Sequence, residues 1–196
     1  MFRITRSSSA DVEREVGVYS GLGLRLEFLS SRGGLQIPKL PAGFAHDLSR
    51  SRIGKGRDRF RSAVRAFVEW KQFELGWVRV ANPGVPIQAG QIVAVEIQAI
   101  GLFSLNLSQI VDVISDDEAF GFIYKTTPHH AEEGEERFLL AFDPDTDEVH
   151  YELEAVSRPQ HWLARLGYPV TRAFQHRFAE ESHKRIREES QIPLKI

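Results

Sequence analysis

Residues 91–127, QIVAVEIQAIGLFSLNLSQIVDVISDDEAFGFIYKTT, decide the fold of this chain. They contain three runs rich in β-branched and aromatic residues, which are Gln91–Ile100, Ser104–Ile114 and Ala119–Thr127. Runs of this composition are typical of β-strands. Parallel neighbours would need crossover segments of a dozen residues or more, and the connections here are much shorter. The stretch therefore predicts an antiparallel meander.

The strand pattern continues on both sides of this stretch. Further strands are predicted at Phe44–Ile53, Trp77–Ala81, Glu136–Phe142 and Val149–Val156. The first is short and ends at the turn signal Gly54-Lys55-Gly56, which is typical of an edge strand. The polar stretch Pro128–Gly134 is interpreted as a connection between strands.

Two other segments have the period of an amphipathic helix. Between Arg57 and Leu75, the apolar stripe consists of Phe60, Ala63, Val64, Phe67 and Val68. From His161 to about Glu189, it consists of Trp162, Leu166, Val170, Phe174 and Phe178. Pro169 interrupts the second segment, so it either kinks that helix or begins a longer one.

These elements predict an α+β protein, in which an antiparallel β-sheet of about six or seven strands is wrapped around a long C-terminal helix. The stripe from Trp162 to Phe178 needs a large apolar surface to cover it, and the sheet offers one. Gly and Pro interrupt residues 1–41, so we expect an irregular lead-in packed on the domain, with one short helix near Asp11–Tyr19 and one short strand. Residues 42–190 would form the domain, and residues 191–196 a C-terminal tail.

The composition excludes several classes of protein. The chain has 196 residues, of which 42% are hydrophobic and 27% charged, as in ordinary soluble globular proteins. It has no Cys, which excludes disulfide scaffolds, iron–sulfur sites and cysteine nucleophiles. No apolar run approaches 18 residues, so no membrane span is expected. Residues 1–14 lack the apolar centre of a secretory signal, and we expect a cytoplasmic location.

The charges are strongly segregated along the chain. Residues 46–79 hold nine basic and four acidic residues, whereas residues 112–154 hold two basic and fourteen acidic ones. A nucleic-acid binder usually concentrates basic side chains on one surface with base-reading partners. Basic helices packed beside an acidic sheet explain the segregation more economically, so no nucleic-acid partner is predicted.

Three motifs make the chain resemble a known family. They are FELGWV at 73–78, GEERF at 134–138 and SRPQHWLARLGYP at 157–169. They are similar to the signatures of an uncharacterised bacterial and plant family, a domain of unknown function, over about residues 41–182. The order of elements also resembles the helix-grip, or START-like, superfamily of the birch pollen allergen, lipid-transfer and polyketide-cyclase-like proteins. The resemblance implies a helix-grip fold but no particular activity.

Motifs for catalysis or metal binding are scarce. The chain has no G-x-S-x-G, P-loop or H-E-x-x-H sequence. His129 and His130 precede several glutamates, but adjacent side chains on extended backbone point in opposite directions. Neither a metal site nor a cofactor is therefore predicted.

Polar residues on otherwise apolar strand faces are the candidate ligand-binding residues. They are Gln109, Tyr124, Glu136 and Tyr151, to which the connection before the last helix adds Arg158, His161 and Trp162. Small-molecule pockets are usually apolar with a few convergent polar groups. The alternative is structural: the tyrosine hydroxyls would reach the rim of the sheet, Glu136 would face solvent, and residues 157–159 would simply connect strand and helix.

Three functions fit this pattern. The leading hypothesis is a binding or carrier protein for an apolar or amphipathic small molecule, held between the sheet and the C-terminal helix. The second is a cyclase- or hydrolase-like enzyme that uses Tyr124, Tyr151, Glu136 or His161 for proton transfer in the same cavity. The third is a partner-binding adaptor with a filled core. The volume of the cavity separates the third from the other two.

Overall fold

The computed structural model describes residues 2–31, 33–160 and 168–192. The strands are β1 (Phe2–Arg3), β2 (Ala45–Lys55), β3 (Val78–Val80), β4 (Ile92–Ala99), β5 (Leu102–Ser115), β6 (Ala119–Thr126), β7 (Glu132–Asp143) and β8 (Glu148–Pro159). The helices are α1 (Ser9–Tyr19), α2 (Arg57–Val68), a short 3-10 helix (Lys71–Phe73) and α3 (Tyr168–Glu189). None of the described helices is long and apolar enough to cross a membrane.

Seven strands form one antiparallel sheet in the order β2-β8-β7-β6-β5-β4-β3, and β1 pairs with β5. Strand β2 lies at the edge and pairs only with β8, as expected for an edge strand. Helices α2 and α3 pack on one face, which we call the inner face. The predicted α+β plan, with the sheet around the C-terminal helix, is confirmed.

Strand β7 begins at Glu132, four residues before the predicted start. Residues Glu132 and Gly134 pair with Pro159 and Ser157 of β8, while the pairing of β7 with β6 begins only at Glu135. The ladder with β8 thus supports Glu132, Glu133 and Gly134, which the sequence pattern assigned to a connection. This extension brings Glu132 onto the inner face.

Helix α2 ends earlier than its apolar period predicted. Trp70 has a positive φ of 59°, which no α-helix can accommodate, and the 3-10 helix follows. Val68 is consequently 53% exposed, so its predicted place in the buried stripe is wrong. Trp70 itself is buried, and its indole Nε1 donates to the carbonyl of Val85 at 2.9 Å.

Aromatic side chains dominate the core on the inner face. The Phe122 and Phe138 rings of adjacent strands stack with centroids 4.9 Å apart. The ring of Phe67 in α2 contacts that of Tyr151 edge-on, with centroids 5.2 Å apart, and the ring centroids of Phe178 in α3 and Phe73 are 5.4 Å apart. Such pairs stabilise a core beyond the area they bury.

The opposite, outer face of the sheet is also covered. Helix α1 packs on β4 and β5 through Val12, and residues 24–44, which we call the outer segment, cover β6–β8. The Glu135 carboxylate accepts three backbone N–H groups of this segment, from Glu27 (2.6 Å), Phe28 (3.0 Å) and Leu29 (2.9 Å). Both faces therefore carry buried apolar residues.

A buried histidine joins α3 to the edge strand. His183 is 6% exposed, and its Nε2 and Nδ1 atoms lie 2.9 and 2.8 Å from the hydroxyls of Ser49 and Ser51. Next to it, the hydroxyls of Tyr151 and Ser182 are 2.8 Å apart. Burial, with a contribution from Arg187, lowers the pKa of His183 to about 4.

We expect His183 to make the protein less stable as the pH falls from about 6.5 towards 4. The unfolded residue takes up a proton near pH 6.5, so in this window the unfolded state binds more protons than the folded one. The contribution is fully present above pH 6.5 and is lost on acidification. Between these pH values, the wild type should lose about 3 kcal/mol more unfolding free energy than His183→Gln, measured by urea titration. Parallel pH profiles would contradict this prediction.

Candidate functional site

A cavity of about 690 Å³ lies between the inner face of the sheet and α3. Its walls are mainly apolar and include Phe73, Trp77, Val95, Ile97, Leu153, Phe174 and Phe178. They come from strands towards both edges of the sheet, namely β4 and β8, from the 3-10 helix and from α3. The cavity is thus a product of the whole fold and not of one loop.

Tyr124 and Glu136 form a polar pair in the wall of this cavity. They are directly opposite each other on β6 and β7, and the Tyr124 hydroxyl donates a hydrogen bond to Glu136 Oε2. The alternating period of β7 also places Phe138 and Leu140 on this face, so the carboxyl group is at the end of an apolar row.

The ionisation of this pair is strongly perturbed. Burial raises the pKa of Glu136 to about 7, and the negative charges of Glu132 and Asp47 act in the same direction, against the hydrogen bond from Tyr124. Burial, together with the charge of Glu136, raises the pKa of Tyr124 well above its usual value. Tyr124 therefore stays a donor, while Glu136 exchanges a proton near neutral pH.

Helix α3 orients a second carboxyl group in the cavity. Gln175 Nε2 donates to both oxygens of Glu132, at 2.7 and 2.9 Å, and its own Oε1 accepts from Arg172 at 2.9 Å. Arg172 in turn forms an ion pair with Asp47 of β2, with Nη2 to Oδ1 at 2.6 Å. Burial raises the pKa of Glu132, although Gln175 and Arg172 oppose this.

The adjacent histidines lie on opposite sides of the sheet. His130 lines the cavity, and its Nδ1 is 3.0 Å from the Glu132 N–H; burial lowers the pKa of His130 to about 4, so its ring is neutral at pH 7. His129 instead lies beside Tyr19 and Glu15 of α1. The two side chains diverge as predicted, although residues 128–131 form a turn between β6 and β7 and not the extended backbone on which the prediction was based.

Of the five predicted ligand-binding residues that the structure describes, two lie in the cavity wall, Tyr124 and Glu136. Gln109 is on the outer face, where its Oε1 accepts the Leu24 N–H at 2.7 Å. Tyr151 is fully buried in the core, and Arg158 points outward to Glu133 at 2.7 Å. His161 and Trp162 lie outside the described residues.

Several residues of the wall were not predicted. Glu132 was missed because its polar neighbourhood was interpreted as a connection, although it lies four positions before Glu136 and so shares its face. Asp47 and Gln175 join the wall only through the tertiary fold, in which β2 pairs with β8 next to β7 and α3 packs across the inner face. The sequence contains no local signal for that placement.

Gly134 gives the strand its shape between the two carboxyl groups. Its N–H donates to Thr126 Oγ1 at 2.9 Å, so a side chain replaces the backbone ladder to β6 at this point. A Cβ on Gly134 would lie 2.1 Å from the carbonyl oxygen of Val156. Only glycine lets β7 approach β8 this closely.

Comparisons with known proteins agree with this architecture. Two solved structures are similar: the di-domain ARO/CYC BexL from the BE-7585A biosynthetic pathway (TM-score 0.54, 15% identity, 79% of this chain and 52% of that one) and the Zhui aromatase/cyclase from Streptomyces sp. R1128 (TM-score 0.51, 11% identity, 76% and 94%). At such identities the likeness shows the fold alone, which is the predicted helix-grip fold.

The sequence comparisons are more specific. A UPF0548 protein of Dictyostelium discoideum is 31% identical over 200 residues, which cover 93% of this chain and 92% of that protein. Residues 30–185 match the family described as "Domain of unknown function (DUF1990)", and the motifs at 73–78, 134–138 and 157–169 lie within them. The chain therefore belongs to the DUF1990 family.

Proposed function

We propose that the protein binds an apolar or amphipathic small molecule in the cavity between the sheet and α3. The main support is the cavity itself, whose volume of about 690 Å³ lies within the usual range of small-molecule sites, about 300–1,000 Å³. Its apolar walls meet the convergent polar groups of Tyr124, Glu136, Glu132 and His130. An adaptor with a filled core would not need such a volume.

A cyclase- or hydrolase-like enzyme is the second candidate. The Tyr124–Glu136 pair favours it, because a carboxyl group with a pKa of about 7 can both accept and donate a proton near neutral pH. The two similar solved structures are named as aromatase/cyclases, which is in keeping with this alternative. A covalent change in a bound compound would favour the enzyme, whereas release of an unchanged compound would favour the carrier.

Native mass spectrometry of gently purified protein tests the proposal directly. We expect a co-purifying compound of defined mass that is lost on denaturation. Uptake of the neutral dye Nile red, followed by fluorescence, should report the same cavity in ligand-free protein. Absence of both a ligand and dye uptake would contradict the carrier and the enzyme alike.

Tyr124→Phe should weaken binding and also lower stability by about 1 kcal/mol, because the hydroxyl donates to the buried Glu136. The change removes one hydroxyl and almost no volume, and a lost hydrogen bond of about 1 kcal/mol corresponds to about a fivefold loss of affinity. Tyr151→Phe is the matched control, since its hydroxyl contacts Ser182 in the core and does not line the cavity. It should lower stability by about 1 kcal/mol and leave binding unchanged. If Tyr151→Phe weakened binding and Tyr124→Phe left it unchanged, the proposed site would be contradicted.

A further inference from the structure

The charges around the cavity are almost all negative. Among the described residues, its lining includes the acids Asp47, Glu132, Glu135, Glu136 and Glu180, but no Lys or Arg. Glu135 points to the outer face and Glu180 is exposed, so they contribute little inside. Asp47 is paired with Arg172, so Glu132 and Glu136 are the carboxyl groups of the lining that remain without a basic partner in the described part of the chain.

The basic groups closest to these carboxyls are already engaged or neutral. Arg172 of α3 pairs with Asp47 and also donates to Gln175. His130 is uncharged at neutral pH, and His176 of α3 is exposed. Lys125 of β6 extends to the outer segment, where it donates to the Arg25 carbonyl at 3.0 Å.

The Oε1 atom of Glu136 can accept a further hydrogen bond. Tyr124 donates to its Oε2, and no hydrogen bond reaches Oε1 from the part of the chain that the structure describes. The side chain keeps some accessible surface although it lies deep in the fold, and that surface borders the cavity. A buried carboxylate is stable only with a counter-charge or hydrogen bonds, and otherwise it takes up a proton.

We propose that the ligand is an organic cation: an apolar body carrying a protonated amine, which binds to Glu136 within the acidic end of the cavity. This inference rests on the proposed function and specifies its substrate class. The ammonium group would supply the missing counter-charge and donate to Glu136 Oε1, while the apolar body contacts walls such as Val95 and Ile97. An anionic ligand would meet two carboxyl groups and no lining Lys or Arg in the described part of the chain.

The proposal implies that binding releases a proton near neutral pH. An alkylammonium stays protonated up to about pH 10, as Lys does, whereas free Glu136 is about half protonated near pH 7. The charges that act on Glu136 are those of Glu132 on its own strand and Asp47 on β2, and its titratable partner is Tyr124 on β6; Gln175 and Arg172 of α3 act on Glu132. The affinity for the amine should rise as the pH increases from 6 to 8, while that for a neutral analogue should stay nearly constant.

Three probes with one alkyl chain test the inference: decylamine, decanol and decanoate, each displacing Nile red below its micellar range at pH 7.5. We expect the amine to bind at least about tenfold more tightly than the alcohol, and the carboxylate to bind more weakly than the alcohol. Glu136→Gln should abolish the preference for the amine. Glu133→Gln, on the same strand but pointing to the outer face, should retain it.

The outcomes separate this inference from the proposed function. If all three probes bind equally, the cavity takes apolar ligands but the cation assignment is wrong. If none binds and Nile red is not taken up, the proposed function fails as well. If Glu136→Gln folds and still prefers the amine, Glu136 is not the partner. Should that variant fail to fold, the pH dependence of wild-type affinity decides, and a profile that is the same for amine and alcohol overturns the inference.

Discussion

Glu135→Ala should lower the free energy of unfolding by about 4 kcal/mol. Removing this carboxylate leaves the N–H groups of Glu27, Phe28 and Leu29 without their acceptor, and hydrogen bonds to a charged group contribute about 1.5–3 kcal/mol each. Partial rehydration of the outer segment offsets some of the loss. Urea titration measures the change, and hydrogen exchange should show these three amides exchanging much faster.

Glu133→Ala is the control for this experiment. Glu133 lies on the same strand, is 43% exposed at its side chain and, among the described residues, forms its ion pair with Arg158. An ion pair of this exposure contributes about 1 kcal/mol or less. If both variants had the same small effect, Glu135 would not hold the outer segment in place.

Gly134→Ala should cost about 3 kcal/mol or more, because it forces two backbones apart. The added Cβ would lie 2.1 Å from the Val156 carbonyl oxygen and 2.8 Å from Ser157 Cα, and neither atom can rotate away as a side chain could. The separation of β7 from β8 would also move Glu132 and Glu136 relative to α3. We therefore expect a lower melting temperature and weaker Nile red uptake together.

Gly17→Ala is the matched control, since this glycine lies exposed in α1 with nothing within 4 Å of the added Cβ. The same substitution there should leave the protein as stable as the wild type, or more stable by up to about 1 kcal/mol, because alanine favours the helix. A Gly134→Ala variant that melts like Gly17→Ala would show that the two strands can adapt.

The period of the strands predicted most of the sheet but not which face carries the cavity. Leu107 and Gln109 share a face, as the sequence indicates, but it is the outer one, because α1 and the outer segment bury apolar residues there too. With both faces covered, hydrophobicity does not distinguish them. Tyr124 and Glu136 were correctly predicted because the large aromatic residues of β6 and β7 lie on the inner face, the same face as these two residues.

The alternation of side chains along a strand could have placed Arg158 on the correct face of the sheet. Arg158 is seven positions after Tyr151, so on extended backbone the two must point to opposite faces. Arg158 was predicted to bind ligand because it lies close to the last helix, but this alternation excludes it from the face that carries Tyr151. By contrast, Asp47 contacts Arg172, 125 residues away, and Gln175 contacts Glu132, 43 residues away, so no local pattern encodes these contacts.

Strand β2 is synthesised well before β8, the strand with which it pairs. Lys55 ends β2, and its partner strand begins only at Glu148, roughly 90 residues later. At about 5–20 residues per second, a nascent chain carries β2 for roughly 5–20 s before β8 is made. An unpaired strand offers its N–H and C=O groups to other chains during that time. The yield of folded protein in a cell is thus expected to depend on how well β2 is shielded on the ribosome, independently of the stability of the finished molecule.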